Sequence, residues 1–85
     1  MEIFYSPKFL KTYKKIPSRI KMLAEKKEKI FRNDPHDKRL RTHGLTGELE
    51  GRESFWVNYQ YRIVFRYIGD KKVQFLVIGT HEIYK

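Results

Sequence analysis

Proton transfer near neutral pH and stabilisation of developing negative charge are the two chemistries that the polar residues of this 85-residue chain could support. Histidine has an ordinary pKa of about 6.5, suited to that transfer, and the chain has three: His36, His43 and His81. His43 precedes Gly44 in a polar segment; His81 follows the last apolar run, with Tyr84 just beyond. Arg62 sits between Tyr61 and Ile63, where a guanidinium is costly unless it meets an anion or water. Each has an ordinary alternative: Arg62 as an exposed arginine on an open sheet, His43 as a polar loop residue, His81 as a surface histidine near a terminus. Trp56, Tyr59, Tyr61 and Tyr84 could stack on bases or belong to a small aromatic core. The histidines lack HExxH or other close ligand spacing and there is no cysteine, so no metal and no cofactor is expected. No P-loop, dinucleotide glycine motif or serine nucleophile elbow occurs.

The elements that must position these residues read as follows. Residues 2–5 form a short strand. Ser6-Pro7 starts a helix over 7–16, with Phe9, Leu10, Tyr13 and Ile16 at helical spacing. Pro17-Ser18 ends it and caps a second helix, which carries Ile20, Leu23, Ile30 and Phe31 and stops at Asn33-Asp34-Pro35. Residues 33–47 read as a loop. From there the period is two: strands over 48–58, 59–68 and 72–79, the last pair joined by Gly69-Asp70-Lys71. The fold class is α+β in one domain, 1–85: a strand, a two-helix hairpin, then a three-stranded antiparallel meander, with the helices on one sheet face. Ile63 and Phe65 suit the covered face; Gln60, Arg62 and Arg66 then point to the other, with Trp56 at the matching parity of its strand.

Charge narrows the class of partner. The chain carries 19 Lys+Arg against 10 Asp+Glu, a net +9, and is 40% hydrophobic, enough for a real core. Residues 1–47 hold 13 basic and 5 acidic side chains and the remainder 6 and 5, so the surplus lies almost wholly in the first half. Such a surface attracts polyanions. No membrane span or secretion signal is read, and the expected location is the cytoplasm. RNA can be cut through its own 2′-hydroxyl by a base, an acid and a fixed cation without a metal, and two histidines with an arginine on a basic protein are consistent with that.

Taken in order, His43-Gly44-Leu45-Thr46-Gly47, Tyr61-Arg62-Ile63-Val64-Phe65 and Ile78-Gly79-Thr80-His81 with Tyr84, after a strand and a helical hairpin, resemble the RelE/ParE family of small toxins, near its YafQ and YoeB branches. The resemblance covers essentially the whole chain. It implies the toxin of a type II toxin–antitoxin system: a ribosome-dependent endoribonuclease acting on mRNA and neutralised by a cognate antitoxin protein, with the free toxin expected as a monomer. It implies His43 as base, Arg62 as phosphate stabiliser, His81 as acid and Tyr84 as a terminal aromatic that stacks on substrate or supports the acid. Lys38, Arg39 and Arg41 would contact ribosomal RNA backbone; from strand parity, apart from the resemblance, Trp56 is expected to stack on a base. The chain departs from YafQ-like toxins in having Trp56 where they have histidine, Gln60 where they have an acid, and Val77-Ile78 where they have an arginine; Arg52 or Arg66 would supply the missing cation. A ParE-like gyrase inhibitor and a non-catalytic basic RNA-binding domain are the competing readings.

Overall fold

Residues 1–84 are described by the computed structural model. The elements run β1 (Glu2–Tyr5), α1 (Pro7–Lys14), α2 (Ser18–Asn33), β2 (His43–Gly44), β3 (Glu53–Trp56), β4 (Arg62–Gly69) and β5 (Lys72–Gly79). Short 3₁₀ turns lie at Lys38–Leu40, Gly47–Leu49 and His81–Tyr84. The five strands form one sheet in the order β1-β5-β4-β3-β2. β1 runs parallel to β5 and every other pair is antiparallel.

Ser6 locks the first crossover in place. Its Oγ accepts the Phe9 amide at 3.0 Å as the N-cap of α1 and donates to the Leu76 carbonyl of β5 at 2.9 Å. Thr12 Oγ1, a turn and a half later, accepts the Ile78 amide at 3.3 Å. α1 therefore lies fixed along β5. It is two residues shorter than its periodicity predicts, because Lys15 and Ile16 close a tighter turn onto Thr12 and Tyr13. α2 starts without a side-chain cap: the capping position falls to Pro17, not Ser18. The helices splay enough to leave a cavity of about 240 Å³, floored by Phe9, Ile63 and Phe75 and edged by Glu25 and Glu28.

One aromatic knot holds both layers. Phe31 of α2, fully buried, meets Phe65 edge-on at 4.8 Å, Phe55 at 4.9 Å and Phe75 at 5.3 Å, one ring from each of β4, β3 and β5. Strand alternation then sends Ser54 and Trp56 of β3, and Arg62, Val64 and Arg66 of β4, to the opposite face. Leu76 is an extra residue in β5, between the Phe65–Phe75 and Val64–Val77 pairs.

Three expectations change. The 33–47 segment is not all loop, since His43–Gly44 forms the edge strand. The strand expected over 48–58 shrinks to Glu53–Trp56, because Gly47 and Gly51, both with positive φ, curl the chain around a 3₁₀ turn before it can pair. The outer sheet face is also not bare. The 81–84 turn folds back over it, and Ile83 Cγ2 packs so closely on Gly79 that a Cβ there would lie 2.5 Å away. No described helix is long and apolar enough to cross a membrane.

Removing the Phe31 ring should cost about 3–5 kcal/mol. Against about 4–13 kcal/mol for a domain of this size, Phe31→Ala is expected to lower the urea midpoint by at least about a quarter, and to leave the protein largely unfolded if its stability lies at the low end of that range. A midpoint within a tenth of native would show that the knot is not what joins the layers.

Candidate active site

Two rows of side chains cross the outer face. His43, Ser54, Val64 and Val77 are register partners from β2 to β5; Trp56, Arg62 and Gly79 form the adjacent row, two residues along. Residues far apart in sequence thus become neighbours through pairing alone.

Arg62 is half-buried, and its Nη1 donates to the Asn58 carbonyl at 2.7 Å and the Tyr61 carbonyl at 3.4 Å. Asn58 makes that turn itself, its side-chain oxygen accepting the amides of Gln60 and Tyr61. The Arg62 guanidinium lies 3.9 Å from the centroid of Trp56. Among the described residues, its Nε and Nη2 hydrogens have no acceptor, so one edge of the fork is free for an anion.

Arg41 is the contact that sequence reasoning missed. It caps the Lys38–Leu40 turn in the left-handed region (φ 52°), which brings its guanidinium to 4.5 Å from the Trp56 ring. Trp56 therefore carries two arginines, and a base could lie on this indole only beside or in place of one of them. The Arg41 carbonyl is 3.2 Å from His43 Nδ1. A carbonyl only accepts, so the bond requires Nδ1–H and leaves the Nε2 lone pair of a neutral imidazole outward. That is the form a general base needs.

The C-terminal turn closes the arrangement. Ser54 is completely buried, and its Oγ lies 2.5 Å from the Tyr84 hydroxyl. Tyr84 is thereby fixed on the register partner of His43, as a structural support of the turn. His81 opens the same turn two residues past Gly79, at the end of the Arg62 row; its ring is exposed and has no hydrogen-bond partner among the described residues.

The other candidates divide. Arg66 is held by Gln74 at 3.0–3.1 Å, four residues along β4 from Arg62, and is too distant to act as its companion cation. Arg52 faces a separate cavity. Lys38 is exposed on its 3₁₀ turn, whereas Arg39 closes its fork on Asp37 at 2.9 and 3.0 Å and holds that carboxyl down at about 2, so its charge is already matched. Tyr59 is 72% exposed on the turn before Arg62, while Tyr61 packs on the core. His36 turns to Glu53 at 3.7 Å. No three potential metal ligands cluster among the described residues.

No protein-family model matches the chain, and no curated protein matches it in sequence. Solved structures match its fold closely. YafQ from E. coli strain BL21(DE3) superposes with a TM-score of 0.81 at 21% identity, over 98% of this chain and 96% of that one. A YoeB/ParE toxin from Agrobacterium tumefaciens gives 0.80 at 15% identity, over 95% and 99%. A chain of the E. coli DinJ-YafQ toxin-antitoxin complex gives 0.77 at 21%, over 96% and 93%. The chain has the RelE-like toxin fold.

If the Ser54–Tyr84 bond holds the turn, Tyr84→Phe strands a buried hydroxyl and is expected to cost about 1–3 kcal/mol. Ser54→Ala with Tyr84→Phe should cost less than the two single changes together, a coupling readable by chemical denaturation of the four proteins. Strict additivity would mean that the two hydroxyls do not interact.

Proposed function

We propose that this protein is the toxin of a type II toxin–antitoxin pair and that it cuts mRNA on the ribosome as a metal-independent endoribonuclease. The observation that carries the reading is the exposed His43 ring, its Nδ1 held by the Arg41 carbonyl, on the same sheet face as the partly free Arg62 fork, in a chain of net charge +9 with the fold of YafQ. In the proposed reaction His43 Nε2 removes the 2′-hydroxyl proton of the RNA. The 2′ oxygen forms a bond to phosphorus while the bond from phosphorus to the 5′ oxygen breaks, and His81 as imidazolium returns a proton to that leaving oxygen. The free edge of Arg62 receives the charge growing on the non-bridging oxygens. Arg41 is the second cation, taking the place that the sequence left to Arg52 or Arg66. Tyr84 holds the turn that carries His81. Lys38, exposed, serves the ribosomal RNA backbone.

A cognate antitoxin is part of the proposal. Structural neighbours have been solved as DinJ-YafQ and YoeB-YefM complexes, and a strongly basic toxin suits an acidic partner segment that orders on binding. The cytoplasm, where ribosomes and mRNA are, is the expected location.

Expression of the protein should cut translated messages, and a positioned acid or base is generally worth 10²–10⁴-fold. His43→Ala, Arg62→Ala and His81→Ala are each expected to lower cleavage at least about 100-fold, the two histidine variants with unfolding midpoints near native and Arg62→Ala with a lowered one, since it also loses the Asn58 and Trp56 contacts. Intact messages with DNA damage would move the protein to the gyrase-inhibitor reading; ribosome binding without cleavage would make it a non-catalytic RNA binder. Arg41→Gly separates charge from geometry. Glycine adopts φ near 52° freely and keeps the carbonyl that His43 uses, so stability should hold or rise while cleavage drops at least about tenfold. Unchanged cleavage in Arg41→Gly would remove Arg41 from the mechanism.

A further inference from the structure

The outer face holds a second feature that the reaction does not use. A cavity of about 430 Å³ opens between the start of α1, the 47–52 loop and the C-terminal turn. Its volume is within the roughly 300–1,000 Å³ typical of small-ligand sites. The floor is apolar: Val64, Val77 and the extra residue Leu76 of β5. Leu49 and Ile83 wall it, and the two charged residues lining it, Lys8 and Arg52, pair with no carboxylate among the described residues.

This cavity adjoins the proposed site. Val64 is the register partner of Ser54, and Ile83 is next in sequence to Tyr84, so the wall of one is the support of the other. We infer that the cavity binds the nucleotide flanking the cleaved phosphate, its base against the part-exposed Leu49, Leu76 and Ile83 above the buried Val64 and Val77, and its phosphate between Lys8 and Arg52. The inference rests on the endoribonuclease reading and names a subsite for that substrate. Charge decides against the other cavity: the groove between the helices presents Glu25 and Glu28, which repel a polyanion.

The lining also says how selective the subsite is. Ser6 Oγ is already engaged with Phe9 and Leu76, and no Asn, Gln, Asp or Glu lines the cavity to read a base edge. With Lys8 and Arg52 engaged by the phosphate, recognition of the base is by apolar contact, and any of the four bases is accepted with modest differences.

The test uses the full chain and a trinucleotide, 5′-AAA-3′, with 2′-O-methyl groups that block cleavage. Followed by methyl NMR, titration is expected to shift Val64, Leu76, Val77 and Leu49. Lys8→Ala with Arg52→Ala should weaken binding about tenfold or more and make the log–log salt dependence shallower by about 0.7, the loss of the one phosphate contact the two cations share. Shifts confined to residues around Trp56 and His43, or none, would overturn the inference, as would an unchanged salt slope in the double variant. The cleavage assay keeps the two claims apart. Message cutting without cavity shifts defeats the subsite alone; cavity shifts without message cutting defeat the nuclease and leave a nucleotide site.

Discussion

The buried Ser54 hydroxyl is the constraint on which the functional face depends. A hydroxyl removed from water needs a partner, and Ser54 finds it 30 residues away in Tyr84. That bond, with the contact of Ile83 on Gly79, makes the 81–84 turn a wall of the outer face. Without it, His81 would ride on an unanchored segment, and the apolar residues Val64 and Val77 would lie open to solvent. The short 81–84 turn is thereby tied to β3, the strand next to the sheet edge.

The second organising element is Trp56. Cross-strand pairing sets it beside Arg62, and the left-handed residue at the end of the Lys38–Leu40 turn brings Arg41 to it as well. Two guanidinium groups near one another repel, and contact with the indole face offsets part of that cost. The result is a preorganised cationic patch next to a histidine whose tautomer is set by the Arg41 carbonyl. Arrangement, more than net charge, distinguishes such a patch from the many solvated lysines of the helices.

Much of this was legible beforehand, and what was not has physical causes. β1 and β5 fall on the residues their apolar pattern marks, and the Ser6-Pro7 start of α1 is a local capping signal that needs no tertiary context. Parity placed Trp56 and Arg62 on one face, because alternation is a property of each strand alone. The edge strand His43–Gly44 was not readable, since two residues have no period. The 48–52 stretch alternates convincingly, yet it bends, because backbone freedom at Gly47 and Gly51 overrides a short pattern. Charge alone puts Arg41 among the ribosomal contacts; its seat on Trp56 depends on a left-handed backbone at a non-glycine residue, which no spacing rule signals. The Ser54–Tyr84 bond joins two residues that each look ordinary.

Chemistry through the 2′-hydroxyl leaves a signature in its products, and end-group analysis of RNA cut by the purified protein on translating ribosomes reads it directly. The account predicts a 2′,3′-cyclic phosphate on the upstream fragment and a 5′-hydroxyl on the downstream one, with no cutting where the 2′-oxygen at the scissile position is methylated. Fragments bearing a 3′-hydroxyl and a 5′-phosphate, or cleavage that persists at a methylated position, would contradict it.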